Sequence, residues 1–282
     1  MSRTLISLGA NLGNVRETMS YAKRMLIDQF PDGDLRFSHL YRTPAIGGPQ
    51  DQGDFLNAVV AIESDSSVWQ VWETIKKIES DLGRRRFQRW EARRIDIDVL
   101  LHDDLRIWTP HFKIPHPRMC MRSFILQPAA EVASEWFDPV SSMTVGELLQ
   151  HLHRPNSFVL LSSNVQLLEQ FKRLIQSSPI DCPVHWLLVQ SRDFQPSRIQ
   201  SLEAKLVVAV VSTPDPETVQ WEDYARDWAI AFGIQTDPTT PRALFSGPRY
   251  LLPGNDLPWA AHEVLAAFEA MQCPVEKVCA FD

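Results

Sequence analysis

The chain reads as an α+β protein, on three observations. In its first part, short apolar strands and two amphipathic helices follow one another in the order β-α-β-β-α-β. The last of those strands, Arg94-Ile95-Asp96-Ile97-Asp98-Val99-Leu100-Leu101, alternates strictly and carries two carboxylates at period two. Beyond residue 154 strands and helices alternate around the apolar run 205–211. The first order is that of a ferredoxin-like domain: an antiparallel sheet with both helices on one face and the other left for a site. The later alternation predicts a second α/β domain. The polar segment His151-Leu152-His153-Arg154-Pro155-Asn156 marks the boundary, giving residues 1–154 and 155–282.

Residues 4–9 form the first strand, followed by the polar loop Ala10-Asn11-Leu12-Gly13. Asn14 can cap a helix whose apolar positions Val15, Met19, Ala22 and Leu26 keep the helical period. Pro31-Asp32-Gly33 ends it. Residues 36–43 and 55–62 read as strands joined by a loop containing Pro44, Gly47, Gly48 and Pro49. Ser67 can cap a second helix with Val68, Val71, Trp72, Ile75, Ile78 and Leu82 on one face. The aspartate strand follows, with Ile95, Ile97, Val99 and Leu101 pointing one way and both carboxylates the other. Residues 107–114 suggest a final strand, and 122–133 a short helix interrupted at Pro128. In the second part, 158–161, 186–189 and 205–211 read as strands and 167–175 and 259–271 as helices.

Composition narrows the function classes. With 282 residues, 44% apolar and 22% charged, the chain is long enough for two buried cores. A net charge of −7 disfavours nonspecific nucleic-acid binding. No run approaches the roughly 18 apolar residues of a membrane span, and MSRTLISLG is too short and strand-like for a secretory signal. Cys120, Cys182, Cys273 and Cys279 fall in no metal-binding spacing, so ordinary thiols and a cytoplasmic home are expected. Basic charge is focused: six arginines fall between Arg84 and Arg94.

Asp96 and Asp98, two apart on a strand, share a face about 6.6 Å apart along it. Such a pair suits Mg²⁺, which takes one or two carboxylates and completes its shell with water and phosphate. Arginines beside it would grip phosphate oxygens in planar, two-pronged fashion. The expected chemistry is metal-assisted reaction at a phosphate ester or anhydride. Other groups belong with this strand: Glu79 and Gly83-Arg84-Arg85-Arg86; Arg89, Trp90 and Arg93; Pro115-His116-Pro117-Arg118, Arg122 and Phe124; Tyr41-Arg42-Thr43-Pro44, Gln52, Phe55 and Asn57. Taken singly, Phe55 and Phe124 would be core residues and Arg85 and Arg89 a solvated loop. Asn57, inside an apolar strand, needs hydrogen-bond partners. His151 and His153, with no further ligand near them, read as surface residues.

Over residues 3–153 the chain resembles the 6-hydroxymethyl-7,8-dihydropterin pyrophosphokinases of the folate pathway. The motifs are SLGANLGN, YRTPAIGGPQDQGDFLNAV, the E-x-x-x-G-R beginning at Glu79, RRIDIDVLL and PHPRMCMRSF, in that order. The resemblance implies a ferredoxin-like fold and transfer of a diphosphate from ATP to the pterin hydroxymethyl oxygen, releasing AMP. It implies Asp96 and Asp98 as ligands of two Mg²⁺ ions, and Arg84 and Arg93 as the catalytic phosphate-gripping pair. Glu79, His116, Arg118 and Arg122 are implied as ATP contacts. Phe55 and Phe124 would sandwich the pterin, Asn57 would read its hydrogen-bonding edge, and Thr43, Pro44 and Ile46 would line the pocket. Three features depart from the pattern: Glu91-Ala92 stands where the family often has Gly-Pro, the loop 83–90 is one residue shorter than in some members, and Cys120 and Met121 replace a more polar pair after PHPRM.

Residues 156–282 lie outside that resemblance. KLVVAVVSTPDPETVQWEDYARDW and PWAAHEVLAAFEAM resemble the later strands and last helix of P-loop kinases of the deoxynucleoside kinase type. Where such a kinase has its phosphate loop this chain has Ser162-Ser163-Asn164-Val165-Gln166, without the glycines or the lysine that wrap phosphates. The expectation is a degenerate P-loop-like domain serving as a scaffold or recruiting a protein partner. The competing reading of the whole chain is a pterin- or nucleotide-binding regulator that no longer transfers diphosphate.

Overall fold

The computed structural model describes residues 1–46, 52–83, 93–109, 111–162, 164–188, 199, 201–211 and 247–281. The chain is mixed α and β. In the first part β1 (Ser2–Ala10) leads to α1 (Val15–Gln29), β2 (Asp34–Phe37), β3 (Leu40–Thr43) and β4 (Phe55–Ser64). Then come α2 (Val68–Asp81) and β5 (Asp96–His102). Both helices start where their caps predict. Asn14 accepts the Glu17 N–H and donates to the Glu17 carboxylate at 2.8 Å. Ser67 and Gln70 form a reciprocal capping box.

Among the described residues these strands form an antiparallel sheet in the order β14-β3-β4-β1-β5, with β2 also paired to β4. β14 (Glu276–Cys279) comes from the far end of the chain and pairs with β3. The expected strand 36–43 is divided, because Ser38 interrupts it. Ser38 Oγ accepts the Val59 N–H at 2.9 Å, and its own N–H donates to the Val59 carbonyl.

Register decides which side chains share a face. Tyr41, Asn57, Gly9 and Asp96 form one row across the sheet, and Val59, Ser7 and Asp98 the next. Directly opposed residues in an antiparallel pair lie on one face. Ile6, Leu8, Val60, Ile62, Ile97 and Val99 occupy the opposite face and pack with Met19, Leu26, Val71, Ile75 and Ile78 of α1 and α2. Leu101 does not follow them. The β1–β5 register shifts between Leu5 and Ile6, so β5 carries one extra residue there. That bulge turns Leu101 into the other core, beside Leu5 and Ala61.

The face expected to be left for the site is half covered. After the hairpin β6 (Ile107–Trp108) and β7 (Lys113–Ile114), and a 3₁₀ turn at Met119–Met121, comes α3 (Ser123–Ala133). Residues 107–114 are thus a hairpin rather than one strand, and α3 runs through Pro128. Leu126 and Ala129 of α3 pack over Leu5, Val59 and Ala61, leaving the Gly9 end of that face open. Short strands β8 (Phe137–Asp138) and β9 (Met143–Thr144) and helix α4 (Val145–His151) follow. His151 is buried rather than on the surface: it bonds the Lys205 carbonyl at 3.1 Å, whereas His153 is exposed.

In the second part β10 (Phe158–Ser162), α5 (Val165–Gln176), β11 (Val184–Leu188), β12 (Leu206–Val211), β13 (Arg249–Pro253) and α6 (Leu257–Gln272) complete the chain before β14. Four strands pair in parallel in the order β11-β10-β12-β13. β10 and β12 are buried along their whole length, as expected of parallel strands covered on both faces. Ser123 Oγ donates to the carbonyls of Ala270 and Cys273 at 3.1 Å, docking the end of α6 on the start of α3.

Candidate active site

The open end of the antiparallel sheet floors a cavity of about 850 Å³. Gly9 is central to it. It lies in register between Asn57 on β4 and Asp96 on β5, and a Cβ there would come 3.1 Å from Asn57 Oδ1. A larger residue would therefore displace the amide.

Asp96 and Asp98 both reach the cavity, with side-chain exposures of 20% and 37%. The Arg93 guanidinium donates to Asp96 Oδ2. His116 Nε2 lies 3.8 Å from Asp98 Oδ2. Burial, with Arg122 and Arg118 nearby, pushes the His116 imidazole well below its usual range, so the ring is neutral. Its Nδ1 accepts the Arg118 N–H at 3.2 Å, which puts the ring proton on Nε2, toward Asp98.

The remaining sequence-derived residues fall into place around this pair. Thr43, Pro44, Ile46, Phe55, Asn57, Arg118, Arg122 and Phe124 all line the cavity. Asn57 Nδ2 donates to Thr43 Oγ1 at 2.9 Å, which fixes the amide. The Arg122 guanidinium lies 5.5 Å over the Phe124 ring. Burial, and then Arg118, bring Arg122 down to about 10, still protonated at neutral pH. Arg84, with Arg85, Arg86, Arg89 and Trp90, lies outside the described residues, as do Gly47, Gly48 and Pro49.

Glu79 is placed differently from the expectation. It is 3% exposed and is not among the cavity-lining residues. Its Oε1 accepts the Ile97 N–H at 2.8 Å and its Oε2 takes Lys76 Nζ at 2.8 Å. Among the described residues β5 is an edge strand, and this carboxylate satisfies a backbone donor between the two aspartates. Lys76 itself faces the cavity.

Two contributions were missed from sequence. Asn11 Oδ1 accepts the Arg93 N–H at 2.7 Å, and the N–H groups of Asn11 and Leu12 donate to the Arg93 carbonyl. Asn11 Nδ2 donates to Gln52 Oε1 and the Gly53 carbonyl, both at 3.3 Å. One side chain thus fixes the point where Arg93 enters β5 and the approach to Phe55. The available signal was an asparagine in a glycine-flanked turn directly after a strand. The second contribution comes from the C-terminal half: Tyr250, Leu251, Asp256, Trp259 and Glu263 form part of the same cavity wall.

No cluster of three or more His, Cys, Asp or Glu able to hold a metal occurs among the described residues. Two hard carboxylates opening on a cavity nonetheless fit Mg²⁺, which leaves the rest of its shell to phosphate and water. Paired carboxylates, arginines and a neutral imidazole beside an apolar slot with one fixed amide suit an enzyme handling a polyphosphate and a flat heterocycle.

The family model for 7,8-dihydro-6-hydroxymethylpterin-pyrophosphokinase (HPPK) matches residues 5–134. The 2-amino-4-hydroxy-6-hydroxymethyldihydropteridine pyrophosphokinase of Haemophilus influenzae is 33% identical over 150 residues, 53% of this chain and 92% of that protein. Those of Synechocystis sp. and Bacillus subtilis are 32% and 35% identical over 148 and 130 residues. These alignments span 52% and 46% of this chain and 75% and 77% of the respective relatives. The chain belongs to the HPPK family. A crystal structure of Plasmodium falciparum HPPK-DHPS with pteroate aligns at a TM-score of 0.40 and 11% identity. It covers 80% of this chain and 66% of that one, a likeness too distant to bear on fold or function.

Proposed function

We propose that this protein transfers diphosphate from ATP to the hydroxymethyl oxygen of 6-hydroxymethyl-7,8-dihydropterin, giving AMP and the pterin diphosphate in folate biosynthesis. The observation that carries the reading is the single face that joins Asp96 and Asp98 to Asn57 and Phe55, with Gly9 between them. It gives a polyphosphate and a pterin adjacent places in one cavity.

The roles follow from position. Asp96 and Asp98 would hold Mg²⁺, two ions on the family pattern, which supplies charge neutralisation for the phosphates when bound. Arg93, held by Asn11 and Asp96, and Arg84, carried over by resemblance, grip the phosphates and stabilise charge as the α–β bridge breaks. Arg122 supplies a further, partly buried cation and His116 a neutral Nε2–H donor. Phe55 and Phe124 pack against the pterin ring and Asn57 reads its edge, with Thr43, Pro44 and Ile46 completing the slot. Glu79 acts as a positioning residue that holds Ile97, and with it the aspartates, in line. The attacking hydroxyl belongs to the pterin, so no protein nucleophile is required.

The strand order β3-β4-β1-β5 supports a ferredoxin-like domain in residues 1–154. The order β11-β10-β12-β13 in residues 155–282 follows the 2-1-3-4 succession of doubly wound sheets. In the turn after β10, Asn164 N–H donates to Ser162 Oγ and Asn164 Oδ1 caps α5, so side chains shape what a glycine loop would otherwise form. That supports a part that does no phosphate chemistry of its own. No described helix is long and apolar enough to cross a membrane, and we place the activity in the cytoplasm on its substrates. The test is AMP release by full-length protein from ATP and Mg²⁺, with and without the dihydropterin. Pterin-dependent AMP is expected. Binding of both ligands without AMP would favour the regulator instead.

A further inference from the structure

Among the described residues the C-terminal half meets the proposed ATP contact Arg118 at a buried carboxylate. Arg118 Nε donates to Tyr250 Oη at 3.0 Å and Arg118 Nη2 to Glu263 Oε1 at 2.6 Å. The Tyr250 hydroxyl donates to the other Glu263 oxygen, so β13 and α6 present one closed arrangement to the guanidinium. Glu263 is 1% exposed and Arg118 29%. A carboxylate is not left that deep in an alanine-rich helix without a partner to justify its desolvation. Here its partner is a residue of the motif Pro115-His116-Pro117-Arg118, 145 positions away.

We infer that Glu263 and Tyr250 are positioning residues of the diphosphoryl-transfer site, holding Arg118 in the cavity wall in one orientation for the ATP phosphates. The inference rests on the functional reading above. A flexible arginine loses rotamer freedom each time it engages a phosphate, and a partner that fixes it beforehand removes that cost. The same anchor reaches further. Arg118's backbone N–H bonds His116 Nδ1, so an Arg118 held in place also holds the imidazole whose Nε2–H faces Asp98. The C-terminal half is thereby a wall of the active site. Its Pro253 ends β13 and Asn255 and Asp256 follow it, at the carboxyl end where α/β sheets usually meet ligands.

The experiment uses full-length protein and titration calorimetry with a non-hydrolysable ATP analogue plus Mg²⁺. The proteins are wild type, Glu263→Gln, Tyr250→Phe, Arg118→Ala and the double variant Arg118→Ala/Glu263→Gln. Dihydropterin affinity and thermal midpoint are measured alongside. Glu263→Gln should weaken the analogue about ten-fold, equivalent to about 1.4 kcal/mol, with pterin affinity within about two-fold of wild type. Tyr250→Phe, which removes only one hydroxyl, should act in the same direction with a smaller effect. Glu263→Gln should add nothing once Arg118 is gone. Unchanged analogue affinity in both single variants overturns the inference. So does a full-sized Glu263→Gln effect in the Arg118→Ala background, or a parallel fall of both affinities with the midpoint. A wild type that binds the analogue but makes no AMP sinks the pyrophosphokinase reading while leaving this one standing.

Discussion

The two sheets divide the work by how their faces are exposed. The antiparallel sheet buries one face under α1 and α2 and leaves the Gly9 end of the other open, so alternate positions of β4 and β5 are free to carry Asn57, Asp96 and Asp98. In the parallel sheet the two central strands are closed off on both faces: β10 and β12 have no partly exposed residue among them. Among the described residues this sheet reaches the cavity through β13, the residues after it, and α6. A half-exposed strand can hold chemistry along its length, whereas a fully buried one offers it at an end.

The sharpest way to break this contrast is one substitution in each sheet. Asp98→Ala should lower pterin-dependent AMP formation by roughly a thousand-fold or more, with a thermal midpoint close to wild type because the Asp98 side chain is more than a third exposed. Ser162→Ala, in the parallel sheet where a phosphate loop would begin, should cost about 1 kcal/mol of stability and leave both Michaelis constants unchanged. Steady-state kinetics and thermal melts check both. Activity retained in Asp98→Ala would contradict the assignment of the chemistry to β5.

A second pair separates the ligands within the open face. Asn57→Ala should raise the KM for the pterin by about ten- to a hundred-fold, with the KM for ATP changed little. Gly9→Ala should move the same constant in the same direction by a smaller factor, because its Cβ would press on Asn57 Oδ1. Equal effects on both substrates would show that the two places on the sheet are not distinct.

Glu79→Gln tests how the edge of the reactive sheet is held. Loss of a buried charge shared by Ile97 N–H and Lys76 should destabilise by about 1–3 kcal/mol, read in a urea melt.

The smallest effect concerns the seam at which β14 joins the sheet. Glu131 accepts from Lys277, the His39 N–H and Tyr41. Although burial alone would raise its pKa, the Lys277 contact and these other donors dominate and lower it from 4.5 to about 2. A carboxylate depressed on folding stabilises the protein above the unfolded value and loses that contribution as pH falls from about 4.5 to about 2. Wild type should therefore lose stability across that window more steeply than Glu131→Gln. Identical pH profiles would remove Glu131 from the account of the seam.

Much of the first part was legible because its signals are local. Asn14 and Ser67 cap the helices they precede, and period-two alternation in β5 sets which residues face the cavity. What local pattern cannot carry is register and distance along the chain. Leu101 leaves the face of Val99 because of a bulge against β1. Ser38 divides a strand through bonds to Val59. His151 is buried by a carbonyl 54 positions away. Glu79 carries a motif yet bonds the backbone of β5, and nothing near Glu263 or Tyr250 in sequence announces a partner in Arg118. Those partners are set by packing between distant segments, and β14 pairing with β3 is the clearest case.

The most direct test of the central claim is the fate of the phosphates. Full-length protein is given ATP labelled separately in the β and γ positions, with Mg²⁺ and 6-hydroxymethyl-7,8-dihydropterin, and products are resolved by ³¹P spectroscopy. The account predicts that both labels move together to the pterin, with AMP formed in equal amount. ADP with a pterin monophosphate, or AMP formed without the pterin, would contradict it.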